Sequence, residues 1–141
     1  MKVKVELNNL TKSPLKAENL KKVVAKTLKK TRLVFLEKRS ISVSLALVGA
    51  KEIRKINKTY RKKNSATDVL SFAEHKNIAE IKKQRGELFL GELILCYDDI
   101  KQYVKKEGLN VKTETEKAVA HGVLHLLGYR HGKKMFDLQE K

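Results

Sequence analysis

Apolar residues recur along this chain with two different spacings, which predicts a mixture of strands and helices. Val3, Val5 and Leu7 alternate with charged residues, as in a half-buried strand. Residues 15–30 instead carry leucine and valine at helical spacing, with lysines on the opposite side. By the same criteria, strands are predicted over residues 3–7, 41–48, 67–72 and 87–96, and helices over residues 15–30, 50–57 and 98–108 and towards the C-terminus.

The last helix has the clearest boundaries. A capping box, Thr113-Glu114-Thr115-Glu116, predicts its start, and Gly128 predicts its end in a left-handed turn. Residues 78–84 are ambiguous and are interpreted as a loop, and an irregularity is expected at Gly91 in the fourth strand. The order β-α-β-α-β-β-α-α predicts an α+β fold in one domain over residues 1–141. One small mixed sheet would be packed by helices, with the C-terminal helix central.

Composition limits the class of protein. The only cysteine, Cys96, cannot form an internal disulfide, and no apolar stretch approaches the length of a membrane span. The N-terminus has no signal-peptide core, so we expect a soluble cytoplasmic protein without membrane partners. The net charge of +16 indicates a polyanionic partner, most often nucleic acid. A lysine-rich surface kept for solubility, or a heat-adapted composition, is the alternative.

The lysines and arginines are clustered, which favours the nucleic-acid interpretation. Residues 51–63 contain seven of them and one acid, Glu52, and a second group occupies residues 21–32. Aromatic residues are few and tryptophan is absent, so no base-stacking platform is evident from the sequence.

Three of the four histidines lie in one short block. His121 and His125 are four residues apart on a predicted helix, so they project from one face, about 40° apart around its axis. A turn at Gly128 would bring His131 back as a third ligand. Three imidazoles with an open fourth position are typical of catalytic zinc, so one zinc ion per chain is predicted. His75 lies in a polar stretch and is interpreted as part of a solvated loop.

The histidine spacing is that of the long zincin signature, but Gly122 replaces its glutamate. A peptidase would then need another carboxylate as its general base. Phosphodiester cleavage depends less on that base, because metal and cationic groups stabilise the phosphoryl oxygens. The favoured hypothesis is therefore a metal-dependent nuclease, with a metallopeptidase as the alternative. Arg61 is the preferred cationic group, since guanidinium binds phosphate through two hydrogen bonds, and Lys58 and Lys62 are candidate substrate-binding neighbours.

Three blocks resemble the YbeY-type endoribonucleases, which mature bacterial rRNA. The first is N-K-T-Y-R at residues 57–61 with T-D-V-L-S-F at residues 67–72. The second is L-G-E-L-I at residues 90–94, and the third is H-G-V-L-H-L-L-G-Y-R-H at residues 121–131. Together these blocks cover the second half of the chain in the order found in that family.

The resemblance implies that His121, His125 and His131 bind zinc and that Arg61 is functional. It also implies cleavage of single-stranded RNA, maturation of the 3′ end of small-subunit rRNA and ribosome quality control. A ribosome-associated RNA-binding module with a structural zinc stays as another alternative. The chain departs from the family pattern in replacing an aspartate with Arg130, which puts any role of that aspartate in doubt. Smaller departures are Ala73 for proline, Glu92 for aspartate and a weakly similar C-terminal tail.

Overall fold

A computed structural model describes residues 1–62 and 68–129 of the chain. Its centre is a four-stranded sheet in the order β1-β2-β4-β3. The strands are β1 (Lys2–Asn9), β2 (Ser40–Leu47), β3 (Val69–Ala73) and β4 (Leu88–Leu95). Strand β2 pairs in parallel with both β1 and β4, whereas β3 is antiparallel to β4. The predicted mixed sheet in an α+β fold is therefore confirmed.

In the part of the chain that the structure describes, five α-helices connect and cover these strands. They are α1 (Ala17–Lys30), α2 (Ala50–Arg61), α3 (Ile78–Lys83), α4 (Tyr97–Glu107) and α5 (Val111–Leu126). A 3-10 turn, Val34–Leu36, leads from α1 towards β2. Among the described residues, no helix combines the length and apolar character that crossing a membrane requires.

The two faces of the sheet are covered by different helices. Apolar residues of α1, α4 and α5 pack with Val69, Leu93 and Leu95 in the larger cluster. Residues of α2 pack with Leu70 and Ile94 in a smaller cluster on the other face. Side chains along a strand point alternately to opposite faces, which is why neighbouring residues of β3 and β4 belong to different clusters. Helices α5 and α2 consequently lie on opposite sides of β3.

A bulge interrupts β4 at Gly91, as the sequence predicted. The register between β2 and β4 shifts there, and Gly91 has a φ of +139°. Leu88 and Leu90 before the bulge, and Leu93 after it, all contribute to the larger cluster. The extra residue thus keeps leucines on the same face on both sides of the irregularity.

Three local predictions differ from the structure. Residues 78–83 form helix α3 rather than a loop, because the Asn77 side chain accepts a hydrogen bond from the Glu80 N–H and caps the first turn. Helix α5 begins before the predicted capping box: Asn110 is its N-cap and accepts from the Thr113 N–H at 3.1 Å. Helix α2 also extends beyond residue 57, to Arg61.

Candidate metal centre and basic surface

The end of α5 is closed by the left-handed turn that Gly128 predicts. Gly128 has a φ of +95°, and its N–H donates to the His125 carbonyl. The Tyr129 N–H donates to the Leu124 carbonyl, five residues back. This pair of hydrogen bonds is a Schellman motif, which satisfies carbonyls that the helix leaves without partners. The helix therefore ends directly after the second histidine of the block.

His121 and His125 converge at this end of α5. Their Nε2 atoms are 2.9 Å apart and their ring centroids 4.5 Å apart. Two nitrogens bound to one zinc ion at about 2.0–2.1 Å lie roughly 3.3 Å apart in tetrahedral geometry. A slight separation of the two rings would reach that spacing, so the pair is suited to share one ion.

The protonation of His125 also suits a metal ligand. Its Nδ1 lies 3.1 Å from the Tyr129 carbonyl oxygen, which can only accept a hydrogen bond, so Nδ1 carries the proton. In the neutral ring this leaves the Nε2 lone pair directed towards His121. A backbone carbonyl that holds the second nitrogen of a histidine in this way is the usual support of a metal-binding imidazole.

The third predicted ligand, His131, lies outside the described residues, as does Arg130. Within residues 1–62 and 68–129, no group of three or more metal-binding side chains is assembled. His121 and His125 are thus brought together, whereas the complete triad stays a prediction.

The packing around Gly122 explains why this position does not hold the glutamate of the zincin signature. A Cβ atom on Gly122 would lie 2.7 Å from Leu93 Cδ2 and 3.4 Å from Ser71 Oγ. The position next to His121 therefore faces the sheet, where the helix packs closely on β3 and β4. A side chain there would begin against Leu93 and Ser71, so the close packing of the helix on the sheet leaves no room for a carboxylate at this position.

His75 is not in a solvated loop, and that interpretation is corrected. It is half-buried, and its Nε2 atom is buried without a hydrogen-bond partner among the described residues. The cause is α3: its cap residue, Asn77, lies against the Gly128 turn, with its Cα 3.8 Å from where a Gly128 Cβ would be. The segment holding His75 is thereby folded near the end of α5, and the polar sequence around it gave no sign of this.

Lys58, Arg61 and Lys62 lie together at the C-terminal end of α2. All three are exposed, and Lys62 adopts the left-handed conformation that ends the helix. Helices α2 and α5 cover opposite faces of the sheet, and both pack on β3, which is an edge strand. The structure therefore groups the predicted cations with one another at the end of one helix, and the two described histidines lie on the other.

Charge is concentrated on α1 as well. Burial, together with the charge of Lys26, lowers the pKa of Lys30. A surface depression of about 570 Å³ is lined by Lys22, Lys26, Lys29, Lys30 and Arg32. The sequence prediction of two basic groups thus corresponds to two exposed helical surfaces.

Near the start of β3, the carboxylates of Asp68 and Asp99 are close enough to repel. Burial and this repulsion raise the pKa of Asp99, and burial raises the pKa of the Cys96 thiol. The Asp68 carbonyl accepts a hydrogen bond from the Cys96 N–H at 2.8 Å. Asp68 thus connects the start of β3 to the start of α4 and has a structural role. Phe72 lies towards the other end of β3.

The comparisons with known proteins agree on one family. The family model described as Endoribonuclease YbeY matches residues 6–141. An endoribonuclease YbeY of Sulfurihydrogenibium is 34% identical over all of this chain and 94% of its own length. The corresponding protein of Myxococcus xanthus is 38% identical over 77% of this chain, which corresponds to 38% of that protein's length. A solution structure from Thermotoga maritima, 23% identical, matches 96% of this chain and 84% of its own length with a TM-score of 0.58, which shows the fold alone.

These matches confirm the resemblance that the three sequence blocks indicated. They also confirm the prediction of a hydrolase of the endoribonuclease class.

Proposed function

Because the chain belongs to the YbeY endoribonuclease family, we propose that it is a zinc-dependent endoribonuclease that cleaves single-stranded RNA. Its substrate would be the 3′ end of small-subunit rRNA, processed in the cytoplasm, and it would contribute to ribosome quality control. The observation that carries this proposal is the convergence of the His121 and His125 Nε2 atoms, 2.9 Å apart, at the Gly128 turn.

The proposal assigns zinc to His121, His125 and His131. The first two suit the ion because their Nε2 atoms converge and because Tyr129 holds the proton of His125 on Nδ1. When bound, the ion would supply a Lewis acid and a water of lowered pKa. The chain's own contribution is to hold two imidazoles in one orientation on a helix that is buried against the sheet.

The exposed cations of α2 would bind the RNA backbone. Arg61 offers two parallel N–H donors to one phosphate, and Lys58 and Lys62 add point charges beside it. Arg61 is proposed to stabilise the negative charge that develops on phosphoryl oxygens during cleavage. Gly122 favours this chemistry over peptide hydrolysis, because no carboxylate can stand next to His121.

The test is cleavage of a single-stranded RNA with the sequence of an rRNA 3′ end, by wild type and two variants. His125→Ala should lose both zinc and cleavage. Arg61→Ala should keep zinc and lose cleavage, whereas Arg54→Ala, which removes an exposed charge earlier on α2, should keep both. Full cleavage by metal-free wild type would overturn the proposal. RNA binding without turnover, persisting in folded His125→Ala, would instead support an RNA-binding module.

A further inference from the structure

Tyr60 is more exposed than its place on α2 would lead one to expect. Helical spacing puts it on the same side as Ile53, Ile56 and Asn57, which face the sheet; Ile53 and Asn57 are fully buried. Tyr60 is nevertheless 69% exposed. The apolar side of the helix thus ends in a large aromatic ring that is mostly in water.

An aromatic contact positions this ring. Tyr60 meets Phe72 edge to face, with ring centroids 5.4 Å apart and an interplanar angle of 76°. Phe72 is half-buried in the smaller cluster and belongs to the hydrogen-bonded strand β3. A ring fixed in this way loses little further freedom when a planar ligand stacks on it, which favours binding.

The charges around Tyr60 select the ligand. Arg61 follows it directly on α2 and is exposed, and Lys58, also exposed, lies one turn before Arg61. On the sheet, the cross-strand neighbour of Phe72 is Glu92, whose carboxylate lies within 3.5 Å of the Ser44 hydroxyl on the next strand. An aromatic face beside cations is the combination that binds single-stranded nucleic acid, because an unpaired base stacks on the ring while the cations neutralise phosphates.

We propose that Tyr60 stacks an unpaired nucleobase of the RNA substrate, with the adjoining phosphate on Arg61. This inference rests on the proposed function and specifies how its substrate is held. Phe72 and Ser71 are consecutive on β3 and face opposite sides, Phe72 towards Tyr60 and Ser71 towards Gly122 on α5. The base subsite and the helix that carries the histidine pair thus meet at β3, an edge strand of the sheet, so one RNA strand can reach both around its free edge.

The first experiment measures affinity for a single-stranded RNA oligonucleotide and the KM and kcat of cleavage. Tyr60→Leu should weaken RNA binding about 5- to 150-fold, mainly through KM, with unchanged zinc content. Tyr60→Phe, which keeps the ring, should stay within about twofold of wild type. Tyr103→Leu is the matched control. Tyr103 is also exposed, at 51%, but it lies on α4, which covers the opposite face of the sheet from α2.

The second experiment uses the absence of tryptophan from the chain. Tyr60→Trp introduces a single fluorophore that keeps an aromatic ring against Phe72, so it also decides the matter if Tyr60→Leu fails to fold. Its emission should be quenched when the RNA binds, whereas that of Tyr103→Trp should not change.

Each outcome has a distinct meaning. Wild-type affinity of Tyr60→Leu, or an unquenched indole in Tyr60→Trp with RNA bound, overturns the stacking subsite and leaves the nuclease proposal intact. Equal weakening by Tyr60→Phe and Tyr60→Leu would assign the effect to the hydroxyl and also overturns it. If wild type neither binds nor cleaves single-stranded RNA, the proposed function fails and the subsite fails with it.

Discussion

Gly122 of α5 lies directly against Leu93 of β4, with room for a hydrogen atom but not for a methyl group. The Cβ of an alanine at this position would lie 2.7 Å from Leu93 Cδ2, and Leu93 is fully buried. The helix that carries both candidate zinc ligands is therefore seated on the sheet through a glycine. The residue that departs from the zincin signature is, in this fold, a packing residue.

Gly122→Ala is expected to lower the free energy of unfolding by about 1 kcal/mol. Overpacking a core costs about 1–3 kcal/mol, and the better helix propensity of alanine offsets part of this. Leu93→Val removes the crowded Cδ atoms, so the double variant should be more stable than the sum of the single changes predicts. Urea unfolding measures all four proteins, and strict additivity would contradict the packing argument.

Gly122→Glu is expected to destabilise the protein strongly and to confer no peptidase activity. The new carboxylate would be directed towards Leu93 and Ser71, where its desolvation is uncompensated. The measurement is thermal unfolding together with zinc-dependent hydrolysis of an unfolded protein substrate. A stable variant with peptidase activity would show that this position faces the histidines after all.

Gly91→Ala should be more damaging than a substitution at another glycine with positive φ. A Cβ on Gly91 would lie 2.3 Å from the Phe72 carbonyl oxygen, which is backbone and cannot move cheaply. Gly86, with a φ of +71°, has open space around it. Gly86→Ala should therefore destabilise the protein only through its backbone conformation, by about 1 kcal/mol. We expect at least about 2 kcal/mol for Gly91→Ala by urea unfolding. Equal costs would mean that the bulge can shift to make room.

The sequence predicted correctly those structural features whose cause lies within a few neighbouring residues. The Gly128 turn was predicted correctly because a glycine after a helix is sufficient for it. The cap of α5 was missed because the Thr113–Glu116 pattern looks complete by itself, and only the structure shows Asn110 accepting from Thr113. Helix α3 was missed because its six residues bury one apolar side chain, Ile81, which gives no periodicity to detect.

In the candidate site, too, features with a local cause were predictable and features of tertiary packing were not. The convergence of His121 and His125 follows from their spacing on one helix. The contact between Tyr60 and Phe72 joins a helix to a strand, which no local pattern contains. That α2 and α5 pack on opposite faces of the sheet is likewise a matter of tertiary packing and could not be read from either segment.

Asn110→Ala is expected to destabilise the protein by about 1 kcal/mol, because it removes the side-chain acceptor at the start of α5. Thr113→Ala should have little effect, since the structure uses the Thr113 N–H and not its hydroxyl for the cap. Thermal unfolding of the two variants compares the observed cap with the predicted capping box. A larger loss in Thr113→Ala would place the start of the helix at the capping box instead.

Asp99→Asn should stabilise the protein at neutral pH. Burial and the nearby Asp68 raise the pKa of Asp99, so the ionised carboxylate opposes folding above that pKa. The penalty disappears as the pH falls through the raised folded-state pKa, and below the ordinary value of 3.8 wild type and variant should be equally stable. The gain at pH 7 should be up to about 0.5 kcal/mol. Asp98→Asn, an exposed change on the same helical turn, is the control, and an equal gain there would show that the effect is not specific to the partly buried Asp99.

Zinc content is the measurement that most directly tests the metal site. Wild type, purified without a polyhistidine tag, should hold about one zinc per chain by mass spectrometry, and His121→Ala or His125→Ala should hold far less. His75→Ala is the matched control, because it also removes a half-buried imidazole near the end of α5 and belongs to no predicted ligand set. It should keep its zinc. Loss of zinc in His75→Ala with retention in His121→Ala would replace the predicted ligands with a different set. Negligible zinc in every protein, after zinc has been supplied, would show that these histidines do not form a zinc site.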